Sequence, residues 1–166
     1  MTGYVCRTCG ALHEEEANCF LFELPLSALD VPEEERETRI EASSDQCVVD
    51  GKHFFILGNL DVPVRGQELF VRWTAWASLS EKNFERATEL WRSPGRESEP
   101  AYFGWLNNQI PGYNQTLSIK TLVHTQPVGV RPRIEVVEEG HELWREQREG
   151  ITQERYRELL EKALHD

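Results

Sequence analysis

Cationic residues are scarce in this chain of 166 residues, since 18 Lys and Arg stand against 29 Asp and Glu and the formal net charge is −11. Phosphate contacts need clustered positive charge, so we expect neither nucleic acid nor a membrane surface as a main partner. No stretch approaches the roughly 20 apolar residues of a membrane span. The first residues also lack the basic start and apolar run of a signal peptide. The expected location is therefore the cytoplasm.

Recognisable catalytic motifs are also lacking. The sequence contains no G-x-G-x-x-G, no G-x-x-x-x-G-K-[ST] and no G-x-S-x-G, so nucleotide-binding loops and a nucleophile elbow are unsupported. The segment from His141 to Arg145 is a near miss to H-E-x-x-H, but the arginine that replaces the second histidine cannot ligate zinc. These absences favour a binding protein over an enzyme, although they leave catalysis open.

The chain has enough apolar residues for one core, at 39% hydrophobic composition. Its length fits a single domain over residues 1–166. Within it, residues 1–29 are expected to be an irregular cysteine-bearing lead-in that resembles a metal knuckle. Residues 30–166 are expected to be the folded body. We predict an α+β fold, an antiparallel β-meander packed with helices and followed by a C-terminal amphipathic helix.

The body begins with a predicted short helix that Asp30 caps and that ends near residues 42–44. Asp50-Gly51 then lies between two β-prone runs and predicts a hairpin with a type I′ turn. Gly58-Asn59 and Arg65-Gly66 are expected to separate further strands, at about 60–64 and 68–78. The second of these alternates cleanly between two faces.

Two more helices have clear start signals. Ser80 is predicted to cap a helix that runs to Trp91, whose apolar residues recur at helical spacing. Thr152 is predicted to cap the C-terminal helix. Between them we expect a loop-rich aromatic segment over 102–113, then strands at about 116–125 and 131–137.

The most specific local chemistry lies among four cysteines. Cys6 and Cys9 form C-x2-C followed by glycine, a spacing at which two thiolates can share one tetrahedral metal. In a reducing compartment such cysteines are more often metal ligands or free thiols than disulfides. We expect a structural zinc. The remaining ligands are open; the nearer candidates are His13, Cys19 and Cys47, and the further ones are His53, His124 and His141.

A catalytic thiol within the Asp-Gly hairpin is disfavoured by its expected register. In a two-residue hairpin Val48 faces His53 and Cys47 faces Phe54. Cys47 and His53 would then point to opposite faces of the sheet, where no thiolate–imidazole pair can form.

The aromatic loop is the better candidate for recognition. It mixes flat apolar area with amide groups, which suits ligand or protein binding, although a packed loop that closes one end of the core explains it as well. Arg131 could add an anion contact. The candidate residues for ligand or partner binding are Trp105, Asn107, Asn108, Gln109, Tyr113 and Arg131.

The negative charge is concentrated at one end of the chain. Residues 1–50 hold 12 acidic side chains and three basic ones, a net of −9, while the other 116 residues carry −2. A solvated surface would account for this distribution. It is also the pattern expected of a surface that steers a basic protein partner.

Several segments, taken together and in order, are more specific than any single motif. They are CRTCGALH at 6–13, SSDQCVVDGKHFFILGNLDVPV at 43–64, WASLSEKNF at 76–84, YFGWLNNQIPGY at 102–113, VHTQPVGVRP at 123–132 and H-x-L-x-x-E-Q-x-x-G-I at 141–151. With these segments the chain resembles the bacterial family labelled domain of unknown function 2199. The resemblance implies a bacterial domain with a metal site made by its C-x-x-C-G-x-x-H start and Cys47. It ranks His13 and Cys47 above the alternates Cys19 and His141.

Three hypotheses follow from the sequence. The first is a zinc-stabilised binding domain with a basic protein partner, of which an immunity-like protein that neutralises a basic toxin is one form. The second is a metal- or thiol-dependent enzyme centred on Cys6, Cys9 and Cys47. The third is a small-ligand-binding domain that uses the 102–113 loop.

Overall fold

The computed structural model describes residues 18–165 in full, and before them only the backbone of two short strands, β1 (Gly3–Val5) and β2 (Leu12–Glu14). The further strands are β3 (Cys19–Leu21), β4 (Ile40–Ala42), β5 (Gln46–Val49), β6 (His53–Pro63), β7 (Phe70–Leu79), β8 (Tyr102–Leu106), β9 (Lys120–His124) and β10 (Arg133–Val136). The helices are α1 (Leu26–Leu29), α2 (Arg36–Arg39), α3 (Glu81–Glu89), α4 (Glu142–Glu149) and α5 (Gln153–His165). Short 3-10 turns cover Glu33–Glu35 and Arg96–Ser98.

The main sheet closes on itself, so the fold is α+β but its sheet is a barrel rather than the predicted meander. Five strands form the ring in the order β6, β7, β8, β9, β10, and β10 returns to pair with β6. That last pairing is parallel, as is the pairing of β3 with β7. A meander has only antiparallel neighbours, so the parallel return of β10 is what the local sequence pattern did not indicate.

Two glycines permit the close approach of strands at the barrel wall. A Cβ at Gly58 would lie 2.8 Å from Ile134 Cγ1 and 2.9 Å from the Pro132 carbonyl, where β10 meets β6. A Cβ at Gly104 would lie 2.3 Å from the Ser78 carbonyl, where β8 meets β7. The prediction that Gly58-Asn59 separates two strands is therefore wrong, because Gly58 is a contact point inside the continuous strand β6.

The alternation predicted for the strand at 68–78 is confirmed, and it divides the core in two. On β7, Val71, Trp73, Ala75 and Ala77 face the barrel interior and pack with the apolar faces of α4 and α5. Trp76 points the other way, into a smaller cluster with Cys47, Phe55 and Leu57 that Ala28 and Val31 cover. The segment that carries α1 thus forms a lid over the outer face of β5, β6 and β7.

Several local predictions are confirmed. Asp50 and Gly51 have φ values of 55° and 65°, as a type I′ turn requires. The hydroxyl of Ser80 accepts the Asn83 N–H at the start of α3, and that of Thr152 accepts the Arg155 N–H at the start of α5.

Other local predictions are wrong in their boundaries. Asp30 does not cap the first helix of the body; it follows α1, and the next helix begins after Pro32. That helix ends at Arg39, where β4 pairs with β5, and so does not reach residues 42–44. The start of the aromatic segment is strand β8, because pairing with β7 and β9 overrides its loop-like composition.

Within the described residues, no helix has the length and apolarity that crossing a membrane requires.

Candidate functional site

The end of the barrel next to α3 contains a cavity of about 480 Å³. Its floor comes from β6, at Ile56 and Asn59, and its sides come from α3 and the residues after it. The start of β8, the end of β9 and the loop that leads into β10 complete the wall. These chain segments meet here because β8 and β10 both begin at the end where β7 and β9 finish. A cavity of this volume suits a small organic molecule.

The cavity wall combines an apolar surface with a few polar groups. Its apolar residues are Ile56, Ala87, Leu90, Trp91, Val123, Val130 and Pro132, with Gly129 beside them. Its polar residues are Asp45, Asn59, Arg96, Tyr102, Thr125, Gln126 and Arg131. This combination of many apolar contacts and few oriented polar groups is typical of ligand sites.

Arg96 is the buried cation of the cavity, with 9% of its surface exposed. Its guanidinium donates to the carbonyls of Trp91, Gln126, Pro127 and Val130 at 2.8–3.2 Å. These four bonds hold the loop of residues 126–130 against the end of α3. Among the described residues Arg96 forms no ion pair with any carboxylate, so carbonyl dipoles and the face of the Trp91 ring compensate its charge.

Arg131 and Asp45 form an ion pair at the cavity wall, with the arginine Nε 2.7 Å from the aspartate Oδ1. The other oxygen of Asp45 accepts the Ser44 hydroxyl at 2.8 Å. The two terminal nitrogens of Arg131 have no hydrogen-bond partner in the described part of the chain, and this side chain is 43% exposed. Both oxygens of the Asp45 carboxylate are therefore bonded, whereas most of the Arg131 guanidinium donors remain available.

Tyr102 carries a buried hydroxyl that has no hydrogen-bond partner within residues 18–165. The residue as a whole is only 6% exposed. Burial raises the pKa of this hydroxyl, and the Glu99 carboxylate, which approaches it without meeting hydrogen-bond geometry, raises it further; Thr125, which also approaches it, and Arg86 lower it. A buried polar group without a partner costs stability, so its retention at a cavity wall requires an explanation.

The aromatic loop after β8 uses its amide groups inside the protein. Asn107 Oδ1 accepts the Ser27 N–H at 2.9 Å, and the buried Asn108 bonds both the Trp76 N–H and the Leu24 carbonyl. Gln109 bonds the carbonyls of its own turn through Nε2 and the Thr116 N–H through Oε1. These amides therefore attach the lid segment and fix the turn.

The two predicted aromatic binding residues lie in opposite environments. Tyr113 is 8% exposed; its hydroxyl donates to Glu146 at 2.7 Å, and its ring packs edge-on against Trp73. Trp105 is 44% exposed and forms an edge-to-face pair with Phe103 on the outer face of β8. Ligand binding by this loop stays a prediction, for which Trp105 is the exposed member.

The predicted zinc ligands lie largely outside the described residues. Cys6 and Cys9 are not described, and for His13 only the backbone is, in β2 opposite Tyr4. Cys47 is fully buried, and burial raises its pKa to about 11. A thiol with that pKa is protonated at neutral pH, so Cys47 has little nucleophilic thiolate in this state.

The two alternates have other surroundings. Cys19 is exposed at the start of β3. His141 precedes α4; its Nδ1 accepts the Leu143 N–H at 3.0 Å and its Nε2 lies 2.8 Å from the Gln115 carbonyl. This pairing makes His141 the N-cap of the helix. Over residues 18–165, no group of three His, Cys, Asp or Glu side chains is arranged to hold a metal ion.

The predicted pairing register of the Asp-Gly hairpin is wrong by one residue. Cys47 pairs with Phe55 and Val49 pairs with His53, so Cys47 and His53 point to the same face of the sheet. The conclusion that they form no thiolate–imidazole pair still holds for another reason. His53 is exposed at the turn while Cys47 is buried two residues further along the strand, and only desolvation shifts the thiol's pKa.

Sequence reasoning identified Arg131 in the cavity and missed the other polar residues there. Arg96 follows a turn at Gly95, whose φ is 82°, and nothing local marks its side chain as buried. Tyr102 opened the predicted loop but was not selected. No local pattern in the sequence marks Arg96, because three of the four carbonyls that hold it lie about 30 residues further along the chain.

Comparisons with known proteins connect the chain to a bacterial family. The family model described as an uncharacterized protein conserved in bacteria, DUF2199, matches residues 5–151. No curated protein and no solved structure matches the chain. The matched range contains all four cysteines and every residue of the cavity wall. The cavity therefore lies in the part of the chain that the family model covers.

Proposed function

The chain belongs to the bacterial family labelled domain of unknown function 2199, and we propose that it is a binding domain for a small molecule held in the barrel-end cavity. The observation that carries the proposal is that two residues with unused donors, Tyr102 with its unpartnered hydroxyl and Arg131 with its free terminal nitrogens, line one cavity in the described part of the chain. Elsewhere in the described body, the polar side chains of the predicted binding loop are bonded internally. Unused donors in a partly open cavity with a mainly apolar wall favour a ligand.

The test is a fragment screen read by the rise in melting temperature and by protein NMR. Ala87→Leu adds bulk to the cavity wall and should abolish binding or weaken it about tenfold. Ala163→Leu makes the same change on α5, which does not line the cavity, and should leave binding intact. If fragments bind equally to wild type and Ala87→Leu, they bind elsewhere and the proposal fails.

A structural zinc at the N-terminal hairpin is a second proposal. The antiparallel pairing of β1 with β2 supports it, because Cys6 and Cys9 fall in the connection between these strands. Two thiolates at C-x2-C spacing are a recurrent half of tetrahedral zinc sites. His13 and Cys47 are the proposed further ligands. Cys47 is fully buried next to Ala28 and Val31, so this ligand set requires Cys6, Cys9 and His13 to reach the lid segment that covers it.

Metal analysis of protein purified without added metal tests this second proposal. We expect about one zinc per chain, with loss of both metal and stability in Cys9→Ser. Cys19→Ser is the matched control and should retain the metal. The site would be excluded if the purified protein contained no zinc and Cys9→Ser had the same stability as wild type.

A third proposal is that an acidic face binds a basic protein partner. An immunity-like protein that neutralises a basic toxin would be one example. The support for this proposal is the exposed run of Glu33, Glu34, Glu35, Glu37 and Glu41. The two arginines of this segment are engaged internally, Arg36 with backbone carbonyls and Arg39 with Asp50 and Glu35. Partner capture that weakens steeply with salt would support it, and capture insensitive to salt would count against it.

A further inference from the structure

The charges and donors of the barrel-end cavity go further and define a class of ligand. We propose that the cavity binds a monocarboxylate with an apolar body, such as an aryl- or alkyl-alkanoate. This inference rests on the proposed function, because it names the ligand of the same cavity. Three properties of the wall lead to it: the sign of its charge, its surplus of donors and its apolar surface.

The first property is charge. The ionisable side chains of the cavity wall, apart from the neutral Tyr102, are Arg96, Arg131 and Asp45, a net of +1. The whole chain carries −11, so this region has the opposite sign to the rest of the protein. Arg96 contributes a cation that no carboxylate pairs within the described residues, in a place where desolvation strengthens its field. A bound anion would compensate that charge.

The second property is the surplus of hydrogen-bond donors. Both carboxylate oxygens of Asp45 already accept bonds, from Arg131 and Ser44. The Asn59 Oδ1 accepts the Thr74 hydroxyl at 2.8 Å, whereas its Nδ2 donor has no partner among the described residues. Within residues 18–165 the terminal nitrogens of Arg131 and the hydroxyl of Tyr102 form no hydrogen bond either. A ligand that suits this wall accepts several hydrogen bonds and donates few, as a carboxylate does.

The third property is the apolar part of the wall, which excludes a small inorganic anion as the best fit. Trp91 offers an aromatic face next to Arg96, whose guanidinium lies 5.7 Å from the ring centroid. Ile56, Ala87 and Val123 are buried and supply aliphatic surface. A ring or alkyl chain would gain from this contact. The net charge of +1 matches one carboxylate better than a doubly charged phosphate monoester.

Two isosteric probes test the inference by calorimetric titration at millimolar concentration. They are 3-phenylpropionate, which is an anion at neutral pH, and 3-phenylpropanamide, which is neutral and has nearly the same shape. We expect the carboxylate to bind at least about tenfold more tightly than the amide. Phenyl phosphate, which carries a second charge, should bind more weakly than the carboxylate.

Three variants examine the charges separately. Arg131→Gln removes the cation with free donors and leaves Asp45 unpaired, so the carboxylate should bind about tenfold more weakly. Asp45→Asn removes the one anionic side chain that residues 18–165 contribute to the wall, so the carboxylate should bind more tightly. Arg133→Gln changes an exposed arginine that does not line the cavity, so binding should be unchanged. Because Arg131→Gln and Asp45→Asn shift affinity in opposite directions, loss of folding in one cannot account for both.

The outcomes separate the inference from the proposed function. Equal binding of the carboxylate and the amide, with both lost in Ala87→Leu, would overturn the anion assignment and leave a neutral ligand in the cavity. Tighter binding of phenyl phosphate would overturn the single-charge assignment. Failure of both phenyl probes and of every fragment to bind would overturn the inference together with the proposed function.

Discussion

The barrel-end cavity and the loop of residues 107–116 have similar polar and aromatic composition but use it in opposite ways. In the loop, Asn108 and Thr116 are buried. The side-chain oxygen and nitrogen of Asn108 both bond backbone groups, and the Thr116 hydroxyl donates to a backbone carbonyl. In the cavity, Tyr102 and Arg131 retain donors without partners in the described residues. Composition alone therefore does not mark a binding site. Polar groups without partners at the wall of a cavity are the better indicator.

The largest expected effect tests the closed side of this comparison. Asn108→Ala leaves the Trp76 N–H and the Leu24 carbonyl without partners and detaches the lid segment, so we expect a loss of about 3 kcal/mol in unfolding free energy. Denaturant unfolding measures it. Asn114→Ala is the control, because Asn114 is exposed and its side chain forms no hydrogen bond in the described residues; its effect should be within about 0.5 kcal/mol. A tolerated Asn108→Ala would break the comparison.

The next effect concerns the buried thiol beneath the lid. In protein without bound metal, the folded-state pKa of Cys47, about 11, lies above its ordinary value of 9.0, so the folded protein keeps a proton that the unfolded chain releases between these values. Stability is therefore unaffected below pH 9 and falls as the pH rises from 9 towards 11, by about 2 kcal/mol.

Unfolding measured across this pH interval isolates the contribution of Cys47. Cys47→Ala should flatten the alkaline decline relative to wild type, while Cys19→Ala, at an exposed position, should leave it unchanged. The same decline in wild type and Cys47→Ala would place the responsible group elsewhere.

The smallest effect compares the two regions directly through two buried tyrosines. Tyr113→Phe loses the hydrogen bond from the hydroxyl to Glu146 and should cost about 1 kcal/mol. Tyr102→Phe removes a hydroxyl without a partner in the described residues and should leave stability unchanged or slightly higher. If both variants lose stability equally, Tyr102 is bonded within the protein and the comparison between the regions weakens.

Several elements of the fold could be predicted from the sequence because the patterns that indicate them are local. The Asp50-Gly51 turn, the caps at Ser80 and Thr152 and the alternation of β7 each depend on residues within a few positions of one another. The helix expected from Asp30 was misplaced because the pairing of β4 with β5 begins at Ile40 and ends it early. The strand over Tyr102–Leu106 was missed because its pairing partners lie far away in the chain.

The candidate site was less accessible to sequence reasoning. Arg131 was recognised as a candidate anion contact, but its partner Asp45 is 86 residues away. The loop amides were selected for their chemistry, which the fold had already used internally. The zinc ligands Cys6, Cys9 and His13 stay a prediction from motif and register, since their side chains lie outside the described residues.

The amino-acid sequence alone predicted the Asp50-Gly51 turn, the helix caps at Ser80 and Thr152, the two-faced strand β7, the acidic N-terminal third and the family to which the chain belongs. The return of β10 to β6 and the cavity at the barrel end emerge only in the folded structure. The physical reason is the range of the interactions. Caps and turns are satisfied within a few residues, whereas Arg96 is oriented by carbonyls 30 to 34 residues further along the chain. Whether such a group is bonded, free or facing a cavity depends on strands that meet only when the barrel closes.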